Sequence, residues 1–90
     1  LKPKFGDAYL SRGSAYAKSG KYDSAMVDYN KAIEINPDSG DAYYNRAVSY
    51  YGKGEFDKSW ADVNKAQSLG CEIHPIFLKN LKKRGELNDK

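Results

Sequence analysis

The sequence predicts an all-α fold built as a stack of antiparallel helix pairs, about five helices in all. Three observations carry that expectation. A phrase beginning "GDAYLSRGSAYAKSG" at Gly6 returns as "GDAYYNRAVSYYGKG" at Gly40, 34 residues later and without a gap. Sliding residues 6–39 onto 40–73 makes twelve of the 34 positions identical. Within each copy the apolar residues recur at helical rather than strand spacing.

Each copy reads as two helices. Tyr9, Arg12/Gly13 and Tyr16 recur at i, i+3, i+4 and i+7, one face of a first helix, and Tyr43, Arg46/Ala47 and Tyr50 repeat the pattern. Asp7 and Asp41 fall in the first turn, where a negative charge suits the helix dipole. Gly20 and Gly54 mark the end of that helix. A second helix restarts at Tyr22-Asp23 and at Phe56-Asp57. Its inner face is Ala25, Tyr29 and Ala32 in one copy, Ser59, Val63 and Ala66 in the other. Asn36-Pro37-Asp38 closes the first copy, since proline cannot continue a helix. Gly13, Ala25, Ala32, Ala47, Ser59 and Ala66 oppose large aromatics, so paired helices can approach closely while the rings fill the gaps. One such pair cannot bury its face alone, whereas a neighbouring pair can cover it.

The pattern resembles the tetratricopeptide repeat, whose signature runs W-x2-L-G-x2-Y, then A-x3-F, then P. The first copy offers Tyr9-x2-Arg12-Gly13-x2-Tyr16, Ala25-x3-Tyr29 and Pro37. The second offers Tyr43-x2-Arg46-Ala47-x2-Tyr50 and Ser59-x3-Val63, with Gly70-Cys71 where Asn-Pro is expected. Tyr replaces Trp and Arg replaces Leu, and both arginines are expected to lay their stems over neighbouring rings with their heads in water. The resemblance implies a right-handed superhelix with units at 6–39 and 40–73. Leu1 and Pro3 stand 34 residues before Ile35 and Pro37, so residues 1–5 read as the remnant of a preceding unit. His74-Pro75 opens a last segment, 74–85, expected to be a lone capping helix with a lysine-rich outer face; residues 86–90 are expected to form a disordered tail.

Composition narrows the function. The chain has 90 residues, 40% hydrophobic and 30% charged, with a net charge of +3. Residues 74–90 carry five Lys/Arg against two Asp/Glu, so the basicity sits at the C-terminal end and not on one extended face. Nucleic acid is therefore not an expected partner, and Lys79, Lys82, Lys83 and Arg84 read as the solvated side of the cap. No apolar run is long enough to span a bilayer, so membrane insertion is not expected. Cys71 is the single cysteine, which fits a reducing compartment, and a cytoplasmic location is expected. With only His74 and Cys71 as soft ligands, neither a metal nor another cofactor is expected. No catalytic constellation or phosphate loop stands out, and the chain is not expected to be an enzyme.

Function is then expected on a surface. The resemblance implies a concave groove lined by the first helix of each unit, a protein-interaction module for a peptide or protein segment. Its lining would be Asp7, Leu10, Ser11, Ser14 and Ala17 in the first unit, Asp41, Tyr44, Asn45, Val48 and Tyr51 in the second, and Leu78, Lys79 and Lys82 in the cap. Helical spacing independently sets Leu10/Ser14/Ala17 and Tyr44/Val48/Tyr51 on a stripe offset from the core stripe, without an intramolecular use once the core is filled. Tyr44 and Tyr51 are the leading anchors by chemistry, and Asn45 can grip a peptide backbone through its amide. A full carboxylate clamp of the kind some family members carry is not expected: Asn45 and Lys79 match two of its five positions, but Leu10, Ser14 and Pro75 occupy the others. A looser preference for negative charge near Lys79 and Lys82 remains. The alternative is a structural role, in which the fragment of a repeat array self-associates through its exposed helical ends.

Overall fold

The computed structural model describes residues 4–88, with side chains described over 5–85. Five helices follow in order: α1 (Lys4–Lys18), α2 (Tyr22–Ile35), α3 (Gly40–Gly52), α4 (Phe56–Ser68) and α5 (Pro75–Asn88). Among the described residues there is no strand. The dominant packing is α1 on α2 and α3 on α4, with α2 against α3 joining the pairs and α5 laid on α4. The fold is the expected all-α solenoid of helix pairs.

Two edges differ from the sequence expectation. Lys4 and Phe5 lie inside α1 rather than in a remnant, while Leu1 and Pro3 fall outside the described residues. Residues 86–88, expected in a disordered tail, extend α5 by a further turn, and 89–90 lie outside the described residues. Nothing between Arg84 and Asn88 breaks a helix: Gly85 costs only about 1 kcal/mol in a helix interior.

Helix ends follow the local chemistry. Gly20, Gly54 and Gly70 have φ of 76°, 81° and 86°, and the residue after each donates its N–H back to Tyr16, Tyr50 and Ala66 at 2.9, 2.9 and 3.0 Å. That is the Schellman closure, which needs a left-handed residue. It also accounts for Gly70-Cys71: α4 stops by a glycine turn, whereas α2 stops at Asn36-Pro37. Ser39 caps α3 by accepting the Ala42 N–H at 3.2 Å, and His74 Nδ1 accepts from Ile76 N–H at 3.1 Å ahead of Pro75.

The core lies in two clusters. In the first pair Ala25, Met26 and Tyr29 are buried, and in the second Ala47, Val63, Ala66, Ile73 and Leu81. Close approach is achieved differently in each. A Cβ on Gly13 would stand 2.7 Å from Tyr29 Cε1, so glycine is required opposite that ring. In the second pair Ala47 replaces the glycine and Val63 replaces the tyrosine, so a larger residue on one helix meets a smaller one on the other.

Candidate functional site

The arginines of the repeated phrase depart from expectation. Their heads do not sit free in water. Arg12 Nε and Nη2 donate to Asp28 at 2.8 and 2.7 Å, and Arg46 Nε and Nη2 donate to Asp62 at 2.7 and 2.8 Å. Asp28 and Asp62 are buried, so each carboxylate leaves water only because a bidentate guanidinium meets it. Those hydrogen bonds hold both guanidinium pKa values above the ordinary arginine range. The rings meet the guanidinium heads and not only the stems: Cζ of Arg12 lies over Tyr9 and Tyr16, and Cζ of Arg46 over Tyr43 and Tyr50, 5.4–5.9 Å from the ring centres. Asp28 and Asp62 were legible as a pair: each stands sixteen residues after its arginine, in both units.

The stripe expected to be spare is largely in use. Tyr44 and Tyr51 are half-buried against α5, with ring centres 6.0 and 5.5 Å from Phe77. Tyr51 also meets Phe56 edge-on at 5.5 Å, and Tyr44 Oη accepts the His74 N–H at 3.0 Å. Leu78 packs into the same cluster, while Leu10 and Ala17 pack on Ala25, Met26 and Tyr29. The helices thus need this stripe to join one another.

Other expected site residues remain accessible. Ser11, Asp7, Asp41, Lys79 and Lys82 are exposed, Ser14 and Asn45 are half-buried, and Val48 is 40% exposed. Asp7 and Asp41 come together with Asp38 around a shallow hollow at the loop end of the helices. Cys71 borders that hollow, its Sγ 3.7 Å from Asp41 Oδ1, and burial pushes its thiol pKa up. Lys79 and Lys82 lie on α5, separate from this acidic end. Large apolar side chains outside the expected set are also exposed: Phe5 at 74%, Val27 at 67% and Ile76 at 62%. Val27 carries a sequence signal, since the second unit has the smaller Ala61 at that position. Among the described residues no group of three His, Cys, Asp or Glu side chains could hold a metal ion. No helix there is long and apolar enough to cross a membrane.

A family model described as "TPR repeat" matches residues 13–54, a span that runs from the second half of α1 through α2 and α3. Over that span the chain carries tetratricopeptide repeat sequence. The five helices fit about two repeats and a capping helix. A UDP-N-acetylglucosamine--peptide N-acetylglucosaminyltransferase of Giardia intestinalis (strain ATCC 50803 / WB clone C6) is 45% identical over 38 residues, 42% of this chain. The match spans 3% of that relative's length. Tetratricopeptide repeats are in general protein-interaction modules and are not themselves catalytic. The Arg–Asp pairs, buried at their carboxylates, depart from the repeat signature, which has Leu where Arg12 and Arg46 stand.

Proposed function

We propose that this tetratricopeptide unit binds a peptide or protein segment along the face shared by α1, α3 and α5. The observation that carries this reading is Val48, a branched apolar side chain 40% exposed on α3, with the polar Asn45 one turn before it and the polar Ser11 and Ser14 at the equivalent positions of α1. A segment laid there would bury Val48, meet amide and hydroxyl groups suited to its backbone, and pass Lys79 and Lys82 on α5. Those two lysines favour a segment with acidic residues at that end. Tyr44 and Tyr51 support the face from beneath, through Phe77, rather than forming its main contacts. A reducing compartment suits the single half-buried thiol, and we place the protein in the cytoplasm.

The test is a selection of display-library peptides against the chain, followed by amide shift mapping of the best binder. Binding is expected to perturb residues 11–17, 45–51 and 78–82. Val48→Glu should weaken it at least tenfold, since a charge would replace a buried valine. Substituting Tyr44 and Tyr51 would undo the α5 packing and blur the answer. Binders that map elsewhere, or that tolerate Val48→Glu, overturn the reading.

A further inference from the structure

The last turn of α3 and the C-terminal half of α5 enclose an open hollow of about 410 Å³, lined by Tyr51, Asn80, Lys83 and Arg84. It arises because α5 is not seated as α3 is. In the 34-residue register Ile76 corresponds to Ala42, Lys83 to Ser49 and Arg84 to Tyr50. Ala42 and Ser49 are fully buried, whereas Ile76 and Lys83 are exposed. A lysine at the Ser49 position would carry an unpaired charge into the core, and α5 rests on Phe77, Leu78 and Leu81 instead. Lys83 and Arg84 are thereby turned to water beside Tyr51. The two other arginines are already met by carboxylates, Arg12 by Asp28 and Arg46 by Asp62. No carboxylate lines this hollow, and among the described residues neither Lys83 nor Arg84 forms an ion pair. The Tyr51 ring is held edge-on against Phe56 and Phe77, both at 5.5 Å. Its hydroxyl makes no hydrogen bond among the described residues, while that of Tyr44 accepts the His74 N–H.

From this juxtaposition we propose that the hollow receives the phosphate monoester of a phosphorylated serine or threonine side chain. The inference rests on the α1–α3–α5 reading and adds the chemistry of the segment bound there. A phosphate monoester carries about −1.5 to −2 charge near neutral pH and three acceptor oxygens. The lining offers two positive charges and two neutral donors, the Tyr51 O–H and the Asn80 amide N–H. Arg84 can meet two phosphate oxygens side by side, and Lys83 adds a point charge. A carboxylate brings one charge and two oxygens, which leaves one of the cations unmatched. A nucleic acid fits less well, since its successive phosphates call for a track of cations and this hollow is one compact cluster. Val48 limits where the phosphate stands in the segment. Val48 and Tyr51 are both on α3, about 4.5 Å apart along its axis at about 1.5 Å per residue. One residue of extended chain spans about 3.3–3.6 Å. The phosphorylated residue therefore lies one to three positions from the apolar residue that covers Val48.

The probe is a synthetic peptide library with one fixed leucine and a phosphoserine one to three positions from it, screened on the full 90-residue chain. The best peptide is then titrated against its serine and glutamate forms and followed by amide and arginine side-chain shifts. The phosphoserine form should bind at least about tenfold tighter than the serine form, with glutamate recovering only part and with shifts at Tyr51, Asn80 and Arg84. Lys83→Gln combined with Arg84→Gln should erase the difference between the two forms while the circular dichroism spectrum and Tm stay unchanged, since both side chains are exposed. Tyr51→Phe keeps the ring contacts and should reduce the phosphate preference about threefold. Val48→Glu should weaken both forms alike. Equal binding of the phosphoserine and serine forms overturns the inference and leaves the α1–α3–α5 reading standing if Val48→Glu still weakens both; failure of every peptide to bind overturns the two together. Displacement of the peptide by inorganic phosphate or phenyl phosphate at matching affinity would make the occupant a free phosphate, and displacement by a single-stranded oligonucleotide would make it a nucleic acid. Either result also overturns the inference.

Discussion

Gly13→Ala should change sign according to what stands at position 29. In a helix interior, alanine is better than glycine by about 1 kcal/mol. Here the new methyl would sit 2.7 and 2.9 Å from the Tyr29 ring and 3.2 Å from Asp28 Cβ. Tyr29 is only 1% exposed, and Asp28 is held by Arg12, so neither neighbour can simply swing away. Overpacking of this kind costs about 1–3 kcal/mol. The net expectation is a loss of about 1 kcal/mol, or a Tm lower by about 4–8 °C for a domain of this size. In a Tyr29→Val background the ring is gone and the site matches Ala47 opposite Val63. Tyr29→Val itself is costly, since it empties part of the core. Adding Gly13→Ala to it should nevertheless stabilise by up to about 1 kcal/mol, because the propensity gain remains, both ring contacts are gone, and only the 3.2 Å approach to Asp28 Cβ is left. The swing between backgrounds is thus about 2 kcal/mol, well above the error of a four-member cycle in urea. An effect of Gly13→Ala that is the same in both backgrounds would refute complementary packing as the reason the two units differ.

Further outcomes follow from the same contacts. Arg46→Leu should cost about 2–3 kcal/mol in urea titration, somewhat below the full range for a broken buried pair because the guanidinium is partly solvated; added Asp62→Asn should return part of the loss. Ser49 is fully buried and its Oγ has no partner, so Ser49→Ala is expected to stabilise by about 1 kcal/mol, read as a rise in Tm. The Cys71 thiol, pushed up by burial, should react with an aromatic disulfide reagent at pH 8 more slowly in the folded chain than in urea. Because the fold favours its protonated form, Cys71 contributes stability below about pH 9 that is lost as the pH rises further, and Cys71→Ser should flatten that alkaline decline.

The helices and their pairing were legible because the signals are local and repeated. Tyrosine spacing, the closing glycines and the 34-residue offset each point to the same elements. The arginine contacts were less legible because Arg is long enough to reach either water or a partner, and only the fold decides. Asp28 lies a helix and a turn away from Arg12, and its burial depends on the two helices meeting at that height. The surface stripe was misjudged for a related reason. Counting one core face per helix suffices for an isolated pair, but α3 must pack against α4, α2 and α5, so more of its circumference is used. Val27 could have been flagged by comparing the copies at positions outside the core.

The differences between the two units then separate by cause. Gly13 with Tyr29 and Ala47 with Val63 are two solutions to one packing problem, and neither speaks of function. Leu10 and Ala17 become Tyr44 and Tyr51 because the neighbour changes. Leu10 and Ala17 pack on the core of the first helix pair, whereas Tyr44 and Tyr51 reach across to the Phe77 ring of α5, and the larger rings supply that contact. Two of the remaining differences put a branched apolar side chain in water: Ser14 against Val48, and Val27 against Ala61. Neither valine is needed by the core, and both stand substantially in water. Chemistry alone selects the tyrosines as anchors; subtracting the demands of packing moves the choice to the exposed valines, and on the α1–α3–α5 face to Val48.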